Sequence, residues 1–182
     1  MQRIASVDPA TATGPAKDLL DGLKAKIGMV PNLYRLLAQS PETLGGVLGL
    51  SGALAKGRLD AATRERIALA VANVNGCDYC NAAHSAIAKG HKLSEAEIQA
   101  NRTGRSTDPH ADAAVAFARK VALTRADVSE ADLAALRNAG YSDAQIVEIV
   151  VNVAANVVTN YVNEVFKTEI DFPATAPATR AA

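Results

Sequence analysis

The two cysteines of the chain stand as Cys77-Asp78-Tyr79-Cys80, and His84 follows the second by four residues. On a helix that spacing puts Cys80 and His84 on one face. A thiol beside an imidazole is a thiol whose proton can be moved. An ordinary cysteine has a pKa of about 8.5, so attack on a peroxide first requires the thiolate. Three features of the stretch favour it. The cysteines fall at a predicted helix start, where the helix dipole favours negative charge. His84 can take the proton. Glu65, at the head of the apolar run that precedes the cysteines, can orient His84 or pass its proton onward. Attack by Cys80 on a hydroperoxide gives a sulfenic acid, and Cys77 is placed to condense with it to a disulfide. An external dithiol must then restore the pair.

The elements that carry these residues are all predicted to be helices. Asp60 caps a helix running to about Asn75, and the absence of charge from Ile67 to Val74 predicts burial nearly all round. Gly76 closes it. The cysteine-bearing helix follows to about Lys89. Upstream, residues 1–13 read as an extended arm. Gly14-Pro15 opens a helix to about Ile27, Asn32 caps a short one, and Ser40-Pro41 starts another ending near Leu54. Gly45 and Gly46 inside that last helix suggest close contact with a neighbouring helix.

Downstream, Ser94-Glu95-Ala96-Glu97 reads as a capping box, with residues 101–106 as loop. Asp108-Pro109 and Ser129 start two further helices. A second capping box, Ser142 to Gln145, launches the longest, to about Lys167. Its many β-branched residues require tertiary or subunit packing. Asn152, Asn156, Asn160 and Asn163 share one stripe, read as a subunit interface in preference to a pocket wall. No segment alternates as strands do, so the fold class is all-α. Residues 1–172 are expected to form one helical domain, with residues 173–182 a low-complexity tail, mobile or wrapped on a neighbour.

Composition narrows the function classes. Nineteen basic residues balance nineteen acidic ones, and no basic block offers itself to nucleic acid. The apolar run 146–158 is interrupted by Asn152 and Asn156 and is short for a bilayer. Met1 to Pro9 lacks an apolar core of signal-peptide length. The expectation is a soluble cytoplasmic protein without membrane partners. In that compartment a Cys-x-x-Cys is redox-active or metal-binding before it is a structural staple.

The constellation Glu65, Cys77-x-x-Cys80, His84 in an Ala/Val-rich helical setting resembles the AhpD-like alkylhydroperoxidases of the carboxymuconolactone decarboxylase superfamily. The resemblance is strongest over residues 60–92, and Met29 to Tyr34 followed by Ser40-Pro41 is similar to the upstream part of many members. It implies an all-helical trimer or hexamer that reduces hydroperoxides, with Cys80 peroxidatic, Cys77 resolving, Glu65 and His84 as proton relay, and no cofactor. It also implies a dihydrolipoyl-bearing reductant; a thioredoxin-like one is the alternative. Where the best-known members carry a histidine just before the second cysteine, this chain has Tyr79, read as a packing residue.

Three other readings stay open from the residues. One is a decarboxylase acting on carboxylated lactones, which needs no dithiol. Another is a redox sensor without turnover. The third is a zinc site built from Cys77, Cys80, His84 and Glu65.

Overall fold

The computed structural model describes residues 1–178, and every regular element among them is an α-helix. Helix α4 (Ala61–Asn75) is the axis of the molecule, contacting α5 (Asp78–Gly90), α6 (Glu95–Arg102), α7 (Pro109–Thr124) and α9 (Asp143–Phe166). Its sequence explains the place. Alanine alternates with Ile67, Leu69 and Val71, so small side chains admit neighbouring helices on several sides while large ones fill the gaps. Every residue from Ile67 to Asn73 is buried.

Three apolar clusters meet around α4. Ile67 and Val71 join Val115-bearing α7 through Phe117, Ala118 and Val121, with Leu136 of α8 (Glu130–Asn138) and Ile146, Ile149 and Val153 of α9. Leu69 packs with Ala88 and Ile98. Ala72 reaches the third cluster, which contains both cysteines, Tyr79 and Ala83, together with Leu20 of α1 (Gly14–Ile27), Leu33 and Leu37 of α2 (Asn32–Leu37) and Leu44 of α3 (Pro41–Leu54). Helices α1–α3 thus fold over the cysteine-bearing turn, α7 and α8 lie with α4 in the first cluster, and α9 reaches both groups.

Several local expectations hold and some give way. Ser40 and Asp60 cap α3 and α4 as read, and Ser142 with Gln145 forms a complete capping box. At α6 only half of the expected box forms. Ser94 accepts from the Glu97 amide, but the Glu97 carboxylate turns inward. There it accepts from Arg66, Asn101, Ser106 and Thr107. Burial alone would raise the Glu97 pKa, yet these hydrogen bonds outweigh it and hold the carboxyl down to about 2. Helix α6 also takes in Asn101 and Arg102, two residues read as loop.

Asn32 does not cap α2. It is the first helical residue, and its amide donates 2.8 Å to the carboxylate of Asp171, far along the chain. Gly45 and Gly46 do not meet a neighbouring helix within the chain either. A Cβ at Gly46 would find nothing within 4 Å, and one at Gly45 only the tip of Leu19, at 4.0 Å.

Helix α9 is long and apolar enough to cross a membrane by length and composition alone. One of its faces fills the core with Ile146, Ile149 and Val153. The asparagine stripe also faces inward: Asn152, Asn160 and Asn163 are buried and Asn156 is half-buried. The interface reading of that stripe is therefore corrected. The face of α9 turned to solvent is instead Val147, Ala154, Val158, Tyr161 and Val165, with Val151 half-exposed among them, at alternating steps of four and three.

The described part of the tail is not loose. Arg102 donates to the carbonyls of Ala176 and Pro177, and the Ala178 amide donates to Asp78. The expectation for residues 179–182 lies outside the described residues.

Candidate active site

The turn between α4 and α5 sets the position of both sulfurs. Gly76 adopts φ 68°, a left-handed conformation that costs glycine little. The Cys77 amide then donates to the Ala72 carbonyl, and the Gly76 amide to that of Asn73, closing α4 with a Schellman turn. One residue later the chain enters α5 with Cys77 as its N-cap. Cys77 and Cys80 are joined as a disulfide with their Cα atoms 5.3 Å apart.

Both cysteines fall at the start of α5, as expected, but the geometry separates them. The Cys80 amide, in the first turn, donates 3.1 Å to Cys77 Sγ, so that amide is directed at Cys77. A hydrogen bond that does reach Cys80 Sγ comes from the side chain: Asn163 Nδ2 of α9, at 3.3 Å.

Glu65 and His84 meet as the spacing foretold. His84 Nδ1 lies 2.7 Å from Glu65 Oε2, with both side chains largely covered. The two arginines that flank Glu65 are engaged elsewhere: Arg64 with the Leu59 carbonyl and Arg66 with Glu97. Nδ1 being tied to the carboxylate, Nε2 is the ring nitrogen left to exchange a proton.

Cys80, His84 and Glu65 all line one cavity of about 740 Å³ between α1–α3 and α4, α5 and α9. Most of its wall is apolar, including Leu19, Leu23, Leu33, Leu48 and Ile87. Cys77 is not part of the wall and is fully buried. The cavity therefore offers one sulfur to a ligand and holds the other behind it. Tyr34 also lines it; burial, and then the negative charge of Glu65, push that phenol's pKa up, so it stays a neutral hydroxyl.

Tyr79, between the cysteines, packs as expected and also fastens. It is buried, with its ring edge-to-face on Phe172 at 5.6 Å. Its hydroxyl accepts from the Leu33 amide at 3.1 Å and donates to Asp171 at 2.8 Å. The same carboxylate takes the Asn32 amide. One residue of the Cys-x-x-Cys thus ties α5 to the start of α2 and to the segment after α9. Burial foremost, with Asp171 adding to it, raises the Tyr79 pKa far above the usual tyrosine value.

Sequence reasoning did not assign Asn163, Tyr34, Asp171 or Phe172 to the site. Asn163 was visible only as one member of the asparagine stripe. The others lie 31 or more residues from the nearest site residue in sequence; Tyr34 ends the family-like segment Met29 to Tyr34, and no motif marks Asp171 or Phe172. As for a metal, among the described residues no three His, Cys, Asp or Glu side chains converge as ligands would. His91 ends α5, and His110 stacks on Tyr141 at 4.3 Å, away from the cavity.

These features define a helical protein with a Cys-x-x-Cys pair beside an apolar cavity, and known proteins share its fold. The model of the carboxymuconolactone decarboxylase family matches residues 41–124, the span of α3 to α7 that contains Glu65, both cysteines and His84. A solved AhpD-core, peroxidase-related protein from Ralstonia eutropha JMP134 superposes with a TM-score of 0.85 at 25% identity, covering 93% of this chain and 92% of that one. A peroxidase-related protein from Silicibacter sp. TM1040 gives 0.79 at 24% identity, covering 90% of each chain. The debrominase Bmp8 shares the fold, with a TM-score of 0.76 at 19% identity over 91% of this chain and 90% of that one. No curated protein matches the sequence. Over residues 41–124 the chain is similar to the carboxymuconolactone decarboxylase family, and it has the AhpD-like fold.

Proposed function

We propose that the protein is a thiol-dependent peroxidase that reduces organic hydroperoxides through Cys80 and Cys77. The observation that carries the reading is the shared cavity: Cys80 stands in its wall with the Glu65–His84 pair, while Cys77 lies behind. In the reduced protein, His84 takes the Cys80 proton, with Glu65 holding the resulting imidazolium. The thiolate attacks the terminal oxygen of the hydroperoxide, the O–O bond breaks, and His84 returns the proton to the departing alkoxide as an alcohol. Cys80 is left as a sulfenic acid. The Cys77 thiol displaces its hydroxyl as water and forms the disulfide.

A dithiol from outside returns two electrons. Both sulfurs are almost wholly covered, so a slender arm such as a dihydrolipoyl group reaches Cys80 through the cavity more readily than the broad face of a thioredoxin-like protein. On attack at Cys80 the leaving thiolate is Cys77, which the Cys80 amide already supports. A reducing cytoplasm suits this cycle. The exposed apolar stripe of α9 supports a homo-oligomer.

The apolar volume favours a second reading. An apolar cavity suits a halogenated aromatic. The Cys80 thiolate takes the halogen from carbon, a proton replaces it there, and Cys77 displaces halide from Cys80 as the disulfide forms. The external dithiol then restores the pair. Debromination is the activity named for one structural neighbour.

The test is consumption of cumene hydroperoxide and hydrogen peroxide with dihydrolipoamide or thioredoxin as reductant, beside release of bromide from a brominated pyrrole. Turnover of the organic hydroperoxide with dihydrolipoamide supports the first reading. Bromide release without peroxide turnover replaces it with the second.

A further inference from the structure

The helix-start amide of Cys80 is spent on Cys77 Sγ, and the donor that reaches Cys80 Sγ is a side chain of α9. We infer that Asn163 is a catalytic residue, its side-chain amide being the hydrogen-bond donor that holds the Cys80 thiolate ready for attack. The inference rests on the peroxidase reading for the name of the electrophile, but not for the chemistry at sulfur.

Three observations carry it. Asn163 Nδ2 lies 3.3 Å from Cys80 Sγ, and the amide of Cys80 itself is spent on Cys77 Sγ. Asn163 also lines the cavity into which Cys80 opens, so the amide meets the sulfur on the side of the incoming substrate. Finally, Asn163 is 2% exposed, and its Oδ1 finds no hydrogen-bond partner among the described residues. A buried carbonyl oxygen without a partner costs stability. A leucine of similar size would avoid that cost. The position therefore holds a side chain poorly suited to a purely structural role, and the hydrogen bond that side chain makes is to the reacting sulfur. An N–H pointing at a sulfur stabilises its anion and not its protonated form.

Attack leaves the balance of the cycle unchanged. Asn163 transfers no proton; it lowers the proton affinity of Cys80, and His84 takes the proton as before. Once Cys80 has become a sulfenic acid, the amide has lost its anion, so the interaction is stronger in the attacking state than in the product.

The test uses Cys77→Ser, in which Cys80 is the one thiol, and follows its alkylation by iodoacetamide as a function of pH. Adding Asn163→Leu should raise the midpoint by about one unit and slow alkylation about tenfold well below it, since one unit is a factor of ten in thiolate. Thermal unfolding should stay level or improve, which a structural role would not produce. Asn163→Asp, nearly isosteric, should raise the midpoint further by placing like charge beside the sulfur, and it serves if the leucine variant does not fold. Asn160→Leu, on the same helix but outside the cavity wall, should leave the midpoint in place.

An unmoved midpoint in folded Asn163→Leu or Asn163→Asp overturns the inference, whether or not the wild-type protein consumes hydroperoxide. A shifted midpoint in a protein that consumes none sustains the role of Asn163 and removes the peroxidase reading alone.

Discussion

Replacing Tyr79 by phenylalanine isolates one hydroxyl that joins three parts of the chain. The ring keeps its contact with Phe172 and its place in the core. The Leu33 amide, in a buried residue, loses its acceptor, and an unsatisfied buried N–H costs about 1–3 kcal/mol. The bond to Asp171 is charge-assisted, but Asp171 is exposed and recovers water, so its loss adds ~1 kcal/mol or less. The sum is about 1–4 kcal/mol, which corresponds to roughly 2–16 °C in melting temperature for a chain of this size. Asp171 keeps its bond to the Asn32 amide, but losing the Tyr79 hydroxyl loosens the segment that carries Phe172, part of the cavity wall. A small dithiol should then reduce the Cys77–Cys80 disulfide several-fold faster. Differential scanning calorimetry and the timed appearance of thiols give both numbers. A variant as stable as wild type and reduced at the same rate would refute the view that Tyr79 fastens the site shut.

Three further outcomes follow from the same geometry. Glu97→Gln should cost about 3 kcal/mol at neutral pH, since the carboxyl is held near 2 against an ordinary 4.5. A depressed carboxyl stabilises fully above its unfolded pKa, so this contribution fades as pH falls from 4.5 toward 2, and the acid limb of a urea-midpoint profile should flatten in the variant. Ala83→Leu, in the cavity wall, should raise the KM for cumene hydroperoxide several-fold while leaving hydrogen peroxide nearly unaffected; equal effects on both would mean the cavity does not hold the organic group. Val158→Lys with Tyr161→Lys, on the exposed stripe of α9, should lower the mass measured by light scattering to that of one chain, whereas an unchanged oligomer would move the interface elsewhere.

Much of the fold was legible because its punctuation is local. Asp60, Gly76, Ser142 and the prolines at 15, 41 and 109 start or stop helices through contacts within a few residues, and the structure places those ends as read. The meeting of Glu65 with His84 was legible as well. A carboxylate on one helix and an imidazole on the next needed only the short turn at Gly76 to bring them together. What escaped depends on which way a helix faces. The asparagines of α9 share one stripe in either orientation, and only packing against α4 and α5 turns them inward toward Cys80. Glu97 illustrates the same limit, because a capping box and a buried ion pair begin from identical residues. Asp171, 92 residues from Tyr79, could not be linked to it by any local pattern.

The division of labour between the two sulfurs is tested most directly by trapping. Cys77→Ser and Cys80→Ser are each reduced, treated with one equivalent of cumene hydroperoxide in the presence of dimedone, and analysed by mass spectrometry. The account predicts a dimedone adduct on Cys80 in Cys77→Ser and none in Cys80→Ser, because Cys80 alone lines the cavity. An adduct on Cys77 in Cys80→Ser, formed as fast as the other, would contradict it.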